Sequence, residues 1–169
     1  EAPELIHRSF PDMKFIYAVR NPFERIISHY LHCLDLGIYS RSMNEILRRD
    51  RTLLDRSLYS YQLNQYLRFF NKDRFKILVY EELKASFGTE MRGLFDFLGV
   101  DPGFSSEAVR RKVRNKSESR RYIDPNELRF HPDVMERLMP AIVSDVRALE
   151  EFMGRPISCW DLSEGRWLS

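Results

Sequence analysis

The sequence predicts a helix-rich α/β fold in which helices flank a parallel sheet. Two short apolar runs that are rich in β-forming residues, 14–19 and 75–80, have the character of buried parallel strands. Amphipathic helical patterns occupy most of the chain between and after them. Two strands are too few for a complete sheet of this type, so we expect residues 1–169 to be the C-terminal portion of a single domain, with its other strands before Glu1.

The first strand leads directly into a helix. Arg20 follows the run 14–19, and Asn21 and Pro22 then provide a favourable N-cap and a favourable first helical residue. From there, apolar side chains recur at i, i+3, i+4, i+7, i+8 and i+11, which predicts a helix that ends near Gly37. The residues of this apolar stripe are Phe23, Ile26, Ile27, Tyr30, Leu31 and Leu34.

The other helices are predicted from the same periodicity. Gly99 closes one pattern, and Pro140 interrupts another, which predicts either two helices or one kinked helix there. We expect Trp160 and Trp167 to anchor the C-terminal tail. The predicted helices span residues 43–49, 57–70, 89–98, 106–113 and 132–152.

Composition excludes several classes of protein. A net charge of only +2 argues against a bulk nucleic-acid binder, and the longest apolar runs are too short to span a bilayer. Cys33 and Cys159 form no C-x-x-C pair, and the four histidines show no metal-ligand spacing. We therefore expect reduced thiols and no metal site.

Positive charge is concentrated in one short stretch. This stretch has the density of an anion-binding segment, but a solvated helix face that runs into a loop is an equally ordinary interpretation. Its basic residues are Arg110, Arg111, Lys112, Arg114, Lys116, Arg120 and Arg121.

The junction between the first strand and the first helix could bind a phosphate. Arg20 stands at the carboxyl end of the strand, where ligands of open α/β sheets bind, and a guanidinium can form two hydrogen bonds to one phosphate. The helix N-terminus faces the same edge. Ser28 and Arg25 lie off the apolar stripe and add a hydroxyl and a second positive charge. The alternative is a capped surface helix with ordinary polar residues.

Residues 14–30 resemble the 3′-phosphate-binding motif of sulfotransferases that use 3′-phosphoadenosine 5′-phosphosulfate (PAPS), in which Arg20 and Ser28 would hold that phosphate. The segments 75–83, 94–102 and 149–162 resemble later parts of the same family. The resemblance implies a P-loop-NTPase-like fold, PAPS as donor and no metal. Residues 115–122 resemble the basic loop that closes over PAPS in the heparan sulfate N-sulfotransferase type and its bacterial relatives. The resemblance implies that this loop binds the donor through Lys116, Ser117, Arg120 and Arg121.

The chain departs from the family pattern in one important respect. It contains no Gly-Thr-Thr or Gly-Thr-Ser loop of the kind that wraps the 5′-phosphosulfate and carries the activating lysine. We expect this lysine and the catalytic base upstream of Glu1, and we expect the chain alone to be inactive. No cysteine lies near residues 114–122, where the animal Golgi enzymes carry a disulfide, so the resemblance favours a bacterial-like, cytoplasmic member.

The sequence is also compatible with two other functions. A related P-loop nucleoside or nucleotide kinase would require a Walker loop and a magnesium-binding acid, and a non-catalytic helical interaction module would bind no nucleotide. The acceptor is equally open, since a small molecule, a saccharide or a lipid-like compound could supply the hydroxyl or amine.

His29, beside Ser28, is expected to be structural.

Overall fold

The computed structural model describes residues 2–103 and 123–169, and this part of the chain is a helix-rich α/β structure. The strands are β1 (Phe15–Val19) and β2 (Phe75–Val79). The helices are α1 (Ala2–Ser9), α2 (Pro22–Asp35), α3 (Met43–Arg49), α4 (Thr52–Asp55), α5 (Tyr59–Leu67), α6 (Tyr80–Ala85), α7 (Phe87–Leu98), α8 (Pro132–Met153) and α9 (Glu164–Trp167).

The two strands pair in parallel, as the sequence predicts. Their register runs from Phe15 opposite Phe75 to Val19 opposite Val79. Val19 and Val79 are each only 1% exposed, so the carboxyl ends of both strands are held by apolar burial. The same register means that the residues following Val19 and Val79 leave the sheet side by side.

Contacts divide the chain into two compact units. One unit comprises residues 1–20 and 62–113 and holds both strands; the other comprises residues 21–61 and 114–169. The single domain expected from the sequence stays a prediction.

Aromatic packing forms the core of the first unit. The ring of Phe15 stacks on that of Phe75, with centroids 4.8 Å apart, and meets Phe70 edge-on at 4.7 Å. His7 packs edge-on against Phe70 at 5.1 Å, which fixes α1 to this cluster. The sequence did not predict α1, because eight residues carry too short an apolar pattern.

The core of the second unit is built around α2 and α8. Phe23 and Ile26 of α2 and Ile142 and Leu149 of α8 are fully buried. Helix α8 is continuous through Pro140, so of the two predicted alternatives, two helices or one kinked helix, the single helix is observed. Pro140 is exposed, which places the hydrogen bond lost at this proline on the solvent side of the helix.

The remaining element boundaries differ modestly from the predictions. Helix 43–49 is confirmed, while α5 is shorter than the predicted helix 57–70, and β2 ends at Val79 because α6 begins at the next residue. Gly99 closes α7 in the left-handed region with a φ of 77°, as a helix C-cap requires. The predicted helix 106–113 lies outside the described residues. In the ranges that are described, no helix is long and apolar enough to cross a membrane.

Candidate functional site

The junction between β1 and α2 has the predicted cap. The side-chain oxygen of Asn21 accepts hydrogen bonds from the backbone N–H groups of Phe23, at 3.0 Å, and Glu24, at 3.4 Å. Pro22 has no N–H, and the N–H of Arg25 already donates to the carbonyl of Asn21. The first amides of α2 are therefore occupied by the helix itself. Contrary to our expectation, an anion near this junction must be bound by side chains rather than by these amides.

The C-terminal tail is tied to this same cap. The backbone carbonyl of Asp161 accepts hydrogen bonds from the side-chain amide of Asn21, at 3.2 Å, and from the indole of Trp167, at 3.1 Å. The Trp167 ring stacks on Phe23 at 5.1 Å. Trp160 is also buried, so the prediction that both tryptophans anchor the tail is confirmed. Asn21 is thereby held from two sides.

The carboxyl edge of the sheet is cationic. Arg20 follows β1, and its guanidinium lies over the ring of Tyr80, the residue that follows β2, at 5.8 Å from the centroid. The ammonium of Lys84, one turn further along α6, lies 4.6 Å from the same centroid. Tyr80 is 45% exposed and Lys84 is exposed, whereas Arg20 is half-buried. The arrangement can attract an anion to the end of β1.

Helix α2 carries a second group of polar residues. Arg25 lies three residues before Ser28 and four residues before His29, a spacing that makes its side chain a neighbour of both on α2. Arg25 and Ser28 are half-buried. Within the described ranges, no carboxylate pairs with Arg25, and the hydroxyl of Ser28 has no hydrogen-bond partner. These groups are available to a ligand.

His29 of α2 contacts Arg56. A guanidinium nitrogen of Arg56 lies 3.1 Å from Nε2 of His29, whose residue is only 8% exposed. Burial, followed by the nearby charges of Arg25, Arg56 and His32, lowers the pKa of His29 to about 4. The imidazole is therefore neutral near pH 7. Its burial agrees with the expectation that it is structural.

Four predicted site residues cannot be placed. Lys116, Ser117, Arg120 and Arg121 lie outside the described residues. The part of the chain that is described contains no group of three His, Cys, Asp or Glu side chains suited to a metal ion.

Sequence reasoning missed Tyr80, Lys84 and Arg56. Tyr80 could have been found from the parallel register, because it occupies the place on β2 that Arg20 occupies on β1. Lys84 then follows from helical spacing. Arg56 carried no signal, because its contact with His29 joins residues 27 positions apart.

Comparisons with known proteins place this α/β fold in a family. The sequence profile of the Sulfotransferase family matches residues 1–105, so this chain belongs to the Sulfotransferase family. Human heparan sulfate glucosamine 3-O-sulfotransferase 6 is 29% identical over 170 residues, which cover 90% of this chain and 47% of the human protein. Its mouse counterpart is 32% identical over 108 residues, 59% of this chain and 32% of the mouse protein.

A solved structure extends the likeness to the fold. The sulfotransferase from Alicyclobacillus acidocaldarius superposes with a TM-score of 0.69 at 23% identity and covers 94% of this chain and 61% of its own. The P-loop-NTPase-like α/β class is thus confirmed. The chain spans about half the length, or less, of the curated relatives that it matches.

Proposed function

We propose that this protein takes part in sulfuryl transfer from PAPS and that Arg20, Ser28 and Arg25 bind the 3′-phosphate of the donor. The observation that carries the proposal is the β1–α2 junction. It presents an arginine at a strand end and a serine two turns into the next helix, inside the region that matches the Sulfotransferase family. The cations of Arg20 and Lys84 on Tyr80 support an anion at this edge.

The proposed reaction moves a sulfuryl group from PAPS to an acceptor oxygen or nitrogen. The bond from sulfur to the donor phosphate breaks, adenosine 3′,5′-bisphosphate (PAP) leaves, and the acceptor loses its proton to a base. By analogy with phosphoryl transfer, such a step depends on in-line positioning and on stabilisation of charge. The residues of this chain would supply the positioning by holding the end of the donor that does not react. The activating lysine and the base would come from other residues of the enzyme.

The acceptor side of the proposal is broader. The names of the human and mouse relatives specify the 3-O position of a glucosamine, which favours a saccharide hydroxyl among the acceptor classes. Further contacts over the donor would come from the cations of Lys116, Arg120 and Arg121 and from the hydroxyl of Ser117. The proposed compartment is the cytoplasm, since neither Cys33 nor Cys159 lies near residues 114–122, where the animal Golgi enzymes carry a disulfide.

Calorimetric titration with nucleotides tests this proposal. PAP should bind, while adenosine 5′-phosphate (AMP), which lacks the 3′-phosphate, should bind far more weakly. ATP with Mg²⁺ serves as the comparison for a kinase. Preference for ATP with Mg²⁺ over PAP would contradict the sulfotransferase function, and absence of binding to any of these nucleotides would favour an interaction module.

A further inference from the structure

We propose that Arg56 is a further anion-binding residue of the donor site and that His29 is its positioning residue, an inference that rests on the proposed function. Both residues belong to the unit that contains α2. Arg56 follows α4 directly, and its guanidinium meets the imidazole of His29 at 3.1 Å. His29 in turn is the chain neighbour of Ser28, a proposed phosphate ligand.

The hydrogen bond fixes the roles of both side chains. A guanidinium has only donors, so Nε2 of His29 must be the acceptor, and the proton of the neutral imidazole must be on Nδ1. Because the pKa of His29 lies near 4, this state persists across neutral pH. His29 therefore acts as a constant acceptor that restrains Arg56 from one side. Protonation of His29 would remove the acceptor and add a third positive charge near those of Arg25 and Arg56.

The rest of the Arg56 guanidinium is available. Arg56 is exposed, and in the described ranges no carboxylate forms an ion pair with it. The charge of Arg56 helps to lower the pKa of Asp50, but hydrogen bonds from Thr52 are the larger cause. The Asp50 carboxylate accepts these hydrogen bonds from the amide and the hydroxyl of Thr52, each at 2.7 Å. A planar fork with one nitrogen engaged by His29 still presents further N–H groups, which suit the oxygens of a tetrahedral anion.

The surrounding groups also favour an anion. Arg25 and Arg56 both lower the pKa of His29, so both charges lie close to its ring. Nδ1 of His29 is buried and has no hydrogen-bond partner in the described part of the chain. A buried donor without a partner lowers the stability of the fold. An oxyanion beside Ser28 would offset the repulsion between the two arginines. The 3′-phosphate of the donor, free phosphate and an anionic group of the acceptor share this chemistry, and we assign the 3′-phosphate because Ser28 and Arg25 are its proposed ligands.

Nucleotide binding by variants separates these sources. We expect Arg56→Ala to weaken PAP binding by about 10- to 100-fold, the range for a lost charged hydrogen bond, and to leave AMP binding unchanged. Arg49→Ala, which removes an exposed arginine of α3, is the matched control and should bind PAP like the wild type. Inorganic phosphate is titrated in parallel.

The positioning role of His29 needs its own variants. His29→Leu removes the acceptor and should weaken PAP binding about as much as Arg56→Ala, while His29→Gln should restore most of the affinity because its amide oxygen can accept in place of Nε2. In an Arg56→Ala background, His29→Leu should have no further effect on PAP affinity. Thermal unfolding of each variant checks the fold, and Arg56→Lys, which keeps the charge but not the fork, replaces Arg56→Ala if the latter unfolds.

The outcomes are distinguishable. Wild-type protein that does not bind PAP would contradict the proposed function, and this inference with it. Wild-type binding with unchanged PAP affinity in Arg56→Ala would overturn the inference alone. So would equal losses for PAP and AMP, or a loss confined to inorganic phosphate, because neither result assigns Arg56 to the 3′-phosphate.

Discussion

Arg20 and Tyr80 lie side by side at the carboxyl edge of the sheet, with the guanidinium 5.8 Å from the centre of the phenol ring. Their proximity is a direct consequence of strand register, since each follows one member of the Val19–Val79 pair. The phenol ring packs against the planar guanidinium in a cation–π contact. The register of β1 and β2 thereby fixes where the first proposed phosphate ligand stands.

Ser28 supplies a hydroxyl to the proposed site. We expect Ser28→Ala to weaken PAP binding by roughly 10-fold, as for the loss of one hydrogen bond to a charged group, and to leave AMP binding unchanged. Calorimetry measures both affinities. Ser144→Ala, at an exposed position of α8, is the matched control. Unchanged PAP affinity in Ser28→Ala would remove Ser28 from the site.

The buried imidazole of His29 makes stability depend on pH. Its pKa is about 4 in the folded protein, below the ordinary value of 6.5, so the unfolded chain binds the proton more readily. This contribution is complete above pH 6.5 and is lost as the pH falls towards 4, with a slope of at most ~1.4 kcal/mol per pH unit. Urea unfolding between pH 7.5 and 4.5 measures it. His29→Gln should show a flatter pH dependence, and identical slopes for both proteins would refute the explanation.

Asp145 of α8 holds the start of α5. Its carboxylate accepts hydrogen bonds from the backbone amides of Ser60, at 3.1 Å, and Tyr61, at 2.9 Å, and the Ser60 hydroxyl donates to its carbonyl. Burial raises the pKa of Asp145 against the effect of these bonds. We expect Asp145→Ala to lower the free energy of unfolding by about 1–3 kcal/mol, since it leaves one buried and one part-buried amide without their acceptor.

Urea titration checks this expectation for Asp145. Asp145→Asn keeps one acceptor oxygen and should be less destabilising than Asp145→Ala. A loss below about 0.5 kcal/mol in Asp145→Ala, the range of an ordinary surface substitution, would mean that α5 does not depend on this cap.

The chain alone should bind the donor nucleotide but should not catalyse sulfuryl transfer. It lacks the Gly-Thr loop whose lysine activates the sulfuryl group in the family that it resembles. We therefore expect PAP binding but no transfer of radiolabelled sulfate from PAPS to a saccharide acceptor. Label in the acceptor, above a control with heat-denatured protein, would show that residues of this chain supply the missing chemistry.

Local patterns predicted the elements that are long or sharply bounded. The Asn21–Pro22 cap and the apolar stripe predicted α2, and β-forming runs predicted both strands. Helix α6 was missed because six residues directly after a strand show no helical period of their own. Two alternatives stayed open at Pro140 because the cost of a proline in a helix depends on whether the affected turn faces water, which the sequence does not state.

The candidate site shows the same division. Arg20, Arg25 and Ser28 were identified from one contiguous segment and its family resemblance. Arg56 could not be identified in this way, since it contacts His29, 27 residues earlier in the chain, only in the folded protein. Contacts of this kind are set by tertiary packing rather than by local sequence.

The most direct test of the account is calorimetric comparison of wild-type and Arg20→Ala protein with PAP and AMP as ligands. Loss of a charged partner of the 3′-phosphate should cost roughly 2–4 kcal/mol, a 30- to 1000-fold weaker affinity for PAP, with AMP affinity and thermal unfolding unchanged. Arg147→Ala, at an exposed position of α8, should bind PAP like the wild type. Equal PAP affinity in wild-type and Arg20→Ala protein would contradict the assignment of the β1–α2 junction to the 3′-phosphate of the donor.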